Sequence, residues 1–237
     1  MLLIPQVQLP HANYQLRELT IGEAIGLVKL NPLAHEQTIS QFLGYVLEDY
    51  DSRTLTAQER YLLVAQYISA TCLGEADFAI GDDAKYSDYL RMNTPLSLEP
   101  IDLGFEEQWQ LLPLFGWQAE ALEDVCKTWQ DWIFGAIAAQ LAKKDELENN
   151  QLPTIDTPTA EYKDYLKERM TIFKAYPERE FERLYYAFLG GMQALNWYFD
   201  IGFDNEGIVC LHKEGQGHAP ARFQVSDCLT QTAISFA

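Results

Sequence analysis

Residues 177–211, PEREFERLYYAFLGGMQALNWYFDIGFDNEGIVCL, decide the fold that we expect for this chain. Their first part predicts a buried helix, because large apolar residues recur at steps of three and four, the spacing of one helix face. Pro177 suits the first turn of such a helix, where its missing N–H leaves no hydrogen bond unmade. Residues 204–207, DNEG, then predict a tight turn into a strand at residues 208–211.

Two adjacent glycines, Gly190 and Gly191, lie in the middle of this predicted helix. A glycine inside a helix costs roughly 1 kcal/mol relative to alanine, so the pair needs a compensating contact. Either the glycines allow close packing within the chain, or they allow a partner to approach the helix backbone. If a partner exists, we expect it to dock on this side of the helix, near Trp197 and the C-terminal β part.

Composition and charge narrow the classes of function. The chain has 237 residues, of which 48% are hydrophobic and 13% aromatic, so it can bury a full core. With 17 basic and 35 acidic residues, its net charge is −18. The electrostatic field of such a negative net charge repels phosphate backbones and anionic lipid surfaces. We therefore expect no nucleic-acid and no membrane partner, and favour a basic protein partner or mimicry of nucleic acid.

The cysteines and the N-terminus indicate the compartment. Four cysteines are too few for a disulfide framework in a chain of this length, and Cys72 and Cys126 fall in apolar contexts typical of core residues. The first ten residues, MLLIPQVQLP, lack the features of a signal peptide, and no apolar run of spanning length follows. We expect a soluble protein that is made in the cytoplasm.

The spacing of apolar residues and the positions of glycine and proline predict a mainly α fold with small β elements, that is, an α+β fold. Residues 1–145 are expected to form an N-terminal β-hairpin and a helical body, which includes one long helix at residues 118–147. Residues 146–158 read as a linker. Residues 159–237 are expected to form a helical hairpin and a short C-terminal antiparallel β part, with residues 226–237 extended.

An acidic arm interrupts the helical body at residues 73–107. It contains several glycines and prolines, and the aromatic residues Phe78, Tyr86 and Tyr89 are interleaved with its acids. A long irregular segment in a compact chain is usually functional or disordered, and the aromatic residues argue against disorder. The arm either packs on its own domain or serves as a docking arm for a partner.

One group of residues suits a metal by type. Cys210, His212, His218 and Cys228 are ligands that zinc prefers, but one, five and nine intervening residues do not match the common zinc spacings. The alternative is a core cysteine with loop histidines. Because the sequence also lacks a calcium loop, a phosphate loop and a nucleophile elbow, we expect no cofactor and no enzymatic activity, with zinc as the alternative.

Two helix starts in the N-terminal part carry a family resemblance. LRELTIGEA (residues 16–24) and LTAQERYLLV (residues 55–64) each combine Thr with Glu three residues later, a capping box, at Thr20–Glu23 and Thr56–Glu59. With the preceding hairpin, residues 5–75 resemble tail and baseplate assembly proteins of tailed bacteriophages. The resemblance implies a non-enzymatic protein of the host cytoplasm or the virion tail.

The resemblance also implies the kind of partner. Some proteins of this type chaperone the long tape measure protein, and others belong to the tail tip or baseplate hub. It does not extend to residues 177–211, so whether the chain is a chaperone or a permanent virion component stays open. Two hypotheses from other classes are an acidic inhibitor that mimics nucleic acid and a small zinc-binding protein.

Overall fold

A computed structural model describes residues 4–9, 12–48, 50–71, 75–91, 98–104, 108–213 and 218–237. The sequence also predicts turns at residues 10–13 and 213–217. Residues 10, 11 and 214–217 of these turns lie outside the described ranges, as does the predicted core residue Cys72.

Over the described residues the fold is mainly helical, with small antiparallel sheets. The helices are α1 (Ile21–Val28), α2 (His35–Val46), α3 (Ala57–Thr71), α4 (Gly116–Val125), α5 (Trp129–Gln140), α6 (Lys144–Glu148), α7 (Thr159–Lys174), α8 (Glu178–Leu195) and α9 (Gln231–Phe236). The strands are β1 (Val7–Gln8), β2 (Asn13–Tyr14), β3 (Ala79–Ile80), β4 (Ala84–Lys85), β5 (Ile101–Asp102), β6 (Trp109–Leu111), β7 (Leu141–Lys143), β8 (Asp200–Asp204) and β9 (Gly207–Leu211). They pair as β1–β2, β3–β4, β5–β6–β7 and β8–β9. The predicted α+β class, with its N-terminal and C-terminal hairpins, is confirmed.

Both predicted capping boxes are present. Thr20 accepts a hydrogen bond from the Glu23 backbone N–H, and the Glu23 carboxylate accepts one from the Thr20 N–H. Thr56 and Glu59 exchange the same pair of bonds at the start of α3. These short-range bonds satisfy N–H groups that have no partner inside the helix, which is why the sequence locates the two helix starts well.

Helix α3 is enclosed on all sides and carries buried charges. Arg60 Nη1 lies 3.2 Å from Glu36 Oε2, and both side chains are buried. Arg60 Nη2 donates to the Glu36 backbone carbonyl and to Ser40 Oγ, and the Tyr61 hydroxyl donates to the Glu36 carboxylate. Gly116 makes room for this network, since a Cβ at that position would lie 2.5 Å from Arg60 Nη1. Helices α2, α3 and α4 are thus joined by charges as well as by apolar contacts.

The long helix predicted in the middle of the chain is wrong in two respects. The helix predicted at residues 118–147 is divided, because the chain becomes extended at Cys126 and α5 begins at a new N-cap, Thr128, which accepts from the Asp131 N–H. The chain then enters β7, which pairs with β6 at the centre of the three-stranded sheet. A strand that is apolar on both faces cannot be told from a buried helix segment by periodicity alone.

The C-terminal region is partly as predicted. Strands β8 and β9 form the expected hairpin around Asn205 and Glu206. The predicted extended tail is wrong, because residues 225–228 form a 3-10 turn and α9 follows, capped by the Thr230 side chain. The sequence also predicts a strand at residues 221–225, but the structure has only a single bridge there, between Ala221 and Cys210.

Helix α7 lies against α4 and α5, across the predicted linker. The Trp117 and Tyr162 rings are 4.5 Å apart, and Lys174 pairs with Asp131 at 3.0 Å. One hydrophobic core contains residues from both predicted domains. The division at residues 146–158 stays a prediction about independent folding, which separate expression of the two parts would test.

Among the described residues, no helix is both long enough and apolar enough to cross a bilayer.

Candidate functional site

Helix α8, the centre of the stretch that decides the fold, has two different faces. Its inner face buries Leu184, Phe188, Met192 and Leu195. Gly191 belongs to this face: a Cβ there would lie 2.7 Å from Leu111 Cδ2 and 2.9 Å from Leu103 Cδ2. The glycine therefore lets the helix backbone approach β6 and the chain beside it. Internal packing, one of the two predicted explanations for the glycine pair, accounts for Gly191.

Beyond the exposed, charged residues 182 and 183, the C-terminal half of the outer side of α8 is exposed and uncharged. It consists of Tyr186, Leu189, Gly190 and Gln193, which recur at helical spacing, and we call this set the α8 outer face. Tyr186 is 64% exposed and Leu189 is 39% exposed. A Cβ at Gly190 would meet no atom of the described residues within 4 Å, so this part of the fold gives no steric reason for the glycine. The face ends one turn earlier at the charged residues 182–183.

Aromatic contacts connect the α8 outer face to the interior. The Tyr186 ring lies 6.1 Å from that of Tyr185, which stacks at 6.1 Å on Phe181. Phe181 stacks in turn on Phe134 of α5, at 4.9 Å. Tyr186 therefore contacts the outer end of an aromatic series that reaches α5.

The other predicted partner-binding residues lie inside the protein. Phe78 and Tyr86 stack at 5.1 Å, and Phe223 packs against both rings. Tyr89 and Trp197 are also buried. In this conformation the described part of the acidic arm packs on its own fold, and these four aromatic residues stabilise it. Their use by a partner stays a prediction that requires the arm to open.

Gln58 connects elements that are distant in the sequence, and no local sequence pattern predicts this role. Gln58 Oε1 accepts hydrogen bonds from the backbone N–H groups of residues 197–199, and Gln58 Nε2 donates to the Leu195 carbonyl at 2.7 Å. The side chain therefore satisfies the backbone where α8 ends and β8 begins. Gln58 lies inside a capping box far away in the chain, and nothing local distinguishes it from a surface glutamine.

The structure brings together only part of the predicted metal set. The His212 and His218 rings lie 4.7 Å apart, and Asp88 joins them. Among the described residues this is the one group of three or more possible ligands whose atoms lie within 4.8 Å of one another, and it contains neither Cys210 nor Cys228. Cys210 is buried in β9, where burial raises the pKa of its thiol. Asp88 was missed because it lies far away in the chain, in the acidic arm.

A second group of shifted acids lies between α2 and α4. The Glu123 carboxylate accepts from the backbone N–H groups of Glu36 and Gln37, at 2.8 and 3.3 Å, and so caps α2 from a neighbouring helix. Burial raises its pKa to about 7, although these two hydrogen bonds act in the opposite direction. Burial also raises the pKa of Glu120, which accepts a hydrogen bond from Ser40. We assign this group to the packing of α2 and α4.

Comparison of the chain with protein-family models, with curated proteins and with solved structures finds no significant match.

Proposed function

We propose that the protein is non-enzymatic and acts by binding another protein through the α8 outer face. The observation that carries this proposal is an uncharged, partly apolar helix face in solvent, on a chain whose net charge is −18. Tyr186 is 64% exposed and Leu189 is 39% exposed, so burial of their remaining apolar area against a partner would stabilise the complex by about 25 cal/mol per Å².

Gly190 supports a helical partner. A mid-helix glycine costs roughly 1 kcal/mol relative to alanine, and no neighbouring atom in the described ranges requires it. A helix that crosses α8 at this point can approach the backbone more closely than a Cβ would allow. The partner that fits is therefore an amphipathic helix with an apolar contact side.

The negative charge of this chain indicates the charge of the partner. The acidic surface of the chain favours a helix flanked by lysine and arginine, because opposite charges accelerate encounter and disfavour wrong partners. An acidic protein that covers the apolar side of a basic helix also keeps that helix soluble until it assembles.

We propose tail or baseplate assembly of a tailed bacteriophage as the biological setting. The support is the N-terminal resemblance at residues 16–24 and 55–64, which contain the starts of two capped helices that follow the β1–β2 hairpin. The partner would be another tail or baseplate protein, with the tape measure protein as the candidate for a chaperone. A chaperone would act in the host cytoplasm, and a structural component would remain in the virion tail.

Purified virions of the phage whose genome encodes this chain provide the test. Stoichiometric copies in a virion blot support a structural component. Absence from virions, together with binding of the purified chain to the purified tape measure protein, supports a chaperone. Absence from virions and no binding to any purified tail protein contradict the proposal. Salt-sensitive binding to a DNA-handling enzyme, in competition with DNA, would instead support the inhibitor.

A further inference from the structure

We propose that Asp88, His212 and His218 form a binding site for a divalent first-row transition metal, for which zinc is the best match. This site is separate from the α8 outer face and does not depend on the proposed partner. Each of the three residues offers one ligand atom, and all three atoms lie within 4.8 Å of one another. Small side-chain adjustments bring such a group to the distances of about 2.0–2.2 Å at which zinc is bound by imidazole and carboxylate.

The orientation of His212 supports a ligand. Its Nδ1 lies 2.7 Å from the Lys213 backbone oxygen, and a carbonyl oxygen only accepts hydrogen bonds. Nδ1 therefore carries the proton, and Nε2 carries the free lone pair. A backbone carbonyl that fixes the tautomer in this way is typical of metal-bound histidines.

The lone pair of His212 has no acceptor role among the described residues. Nε2 is buried, and within the described part of the chain it has no hydrogen-bond partner. A buried polar atom without a partner costs roughly 1–3 kcal/mol, so native proteins rarely keep one without a reason. We assign Nε2 as the ligand atom of His212, so that a metal ion bound by the three residues would use this lone pair.

The backbone around the cluster is fixed independently of any metal. The Lys213 N–H donates to the Asp88 carbonyl at 3.2 Å, and Lys213 Nζ donates to the Ser87 carbonyl at 2.6 Å. The Tyr89 hydroxyl donates to the Ala219 carbonyl at 2.7 Å, and its ring meets the His212 ring edge to face at 5.2 Å. The two chain segments that supply the ligands are therefore held side by side, which lowers the entropic cost of metal binding.

The Asp88 carboxylate is positioned as well. Its Oδ2 accepts from the Lys85 N–H at 2.8 Å, which orients the side chain at the start of the 3-10 turn that follows β4. This leaves the other oxygen for the ion. A bound metal would join the end of β9 to the acidic arm.

The ligand chemistry selects the metal class. Two imidazoles and one carboxylate suit zinc, iron(II), cobalt and nickel better than magnesium or calcium, which prefer oxygen ligands alone. Three protein ligands leave at least one coordination position for water.

Titration of the metal-free full-length protein with Zn²⁺, followed by calorimetry, tests the site. We expect one Zn²⁺ per chain, a Tm that rises with bound Zn²⁺, and affinity at least about tenfold weaker in His212→Ala, His218→Gln and Asp88→Asn. His35→Gln is the matched control, because His35 is also partly buried with an unpaired Nε2, but lies outside the cluster. Circular dichroism of each variant verifies that it is folded.

Two results would overturn the site. The first is the absence of saturable Zn²⁺ binding by the unaltered protein. The second is binding that survives Asp88→Asn but is lost in Cys210→Ser or Cys228→Ser, which would show that the cysteines are ligands instead. Co²⁺ substitution gives an independent readout, since the Asp88 and histidine set predicts d–d bands without the charge-transfer band of a thiolate ligand.

Discussion

Helices α3 and α8 distribute charge and apolar surface in opposite ways. Helix α3 buries Arg60 among apolar residues, and α2 supplies the groups that pair with it. Helix α8 leaves Tyr186 and Leu189 in solvent. The buried charge is paired within this chain, whereas Tyr186 and Leu189 keep apolar area in solvent that a partner could cover. We therefore interpret α3 as the structural centre of the protein and the α8 outer face as the surface that acts on a partner.

The largest effect is expected from removing the buried charge of α3. Arg60→Ala leaves the Glu36 carboxylate buried without its cation, which should lower the free energy of unfolding by about 3–5 kcal/mol. Urea denaturation measures the loss. Arg179→Ala on the exposed side of α8 is the control and should change stability by less than about 0.5 kcal/mol. Similar small losses in both variants would contradict the structural role of the network.

The two glycines of α8 should respond with opposite signs. Gly191→Ala places a methyl group against Leu111 and Leu103, which should cost about 1–3 kcal/mol of stability. Gly190→Ala adds a methyl group to open space and improves helix propensity, so it should stabilise by about 0.5–1 kcal/mol. Thermal and urea unfolding of both variants measure these changes in stability. A loss of stability in both would show that the outer face has an internal contact.

The pH dependence of stability tests the packing of α2 on α4. The pKa of Glu123 is raised to about 7 in the folded protein, so the folded state holds a proton that the unfolded state releases. The stability that this group contributes is therefore complete below its unfolded pKa, near 4.5, and is lost as the pH rises through about 7. Since Glu123 is only half-buried, we expect a change of about 1 kcal/mol.

Comparison of Glu123→Gln with the unaltered protein isolates this contribution. Burial lowers the pKa of His35, which gives a pH dependence of the opposite sign that both proteins share. Between about pH 5 and pH 8 the variant should gain stability relative to the unaltered protein. A relative loss over the same range would show that the ionised carboxylate caps α2 and that capping outweighs burial.

The smallest effect on stability is expected at the α8 outer face. Tyr186→Ala removes an exposed ring and should change the free energy of unfolding by less than about 0.5 kcal/mol. Urea denaturation provides the measurement, with Phe188→Ala on the inner face as the matched aromatic comparison. Phe188 is buried, so that variant should lose about 3–5 kcal/mol. A comparable loss from Tyr186→Ala would assign its ring to the core.

Local signals in the sequence predict local structure. The capping boxes at Thr20 and Thr56 and the turn between β8 and β9 depend on residues only a few positions apart, and all three are present. The inner face of α8 is also visible as a periodic pattern. The pattern could not show that Tyr186 and Leu189 face water, because exposure depends on which elements cover the helix.

Long-range pairing explains what the sequence did not predict. Strand β7 resembles a helix segment until β6 pairs with it, and Gln58 gains its role only when α3 meets the end of α8. The same holds for the candidate metal site, where Asp88 meets two histidines from the other end of the chain. None of these contacts can be predicted from the spacing of residues that are close together in the sequence.

The most direct test of the α8 outer face compares two exposed glycines. Gly190 in α8 and Gly44 in α2 both lie on helix surfaces where an added Cβ would meet no atom within 4 Å. We would measure the affinity of Gly190→Leu, Gly44→Leu and the unaltered chain for the purified tape measure or baseplate protein encoded beside this chain. If the partner binds the α8 outer face, Gly190→Leu should weaken binding at least about tenfold, roughly 1.4 kcal/mol. Gly44→Leu should bind as the unaltered chain does. Equal binding by all three proteins would contradict binding at this face.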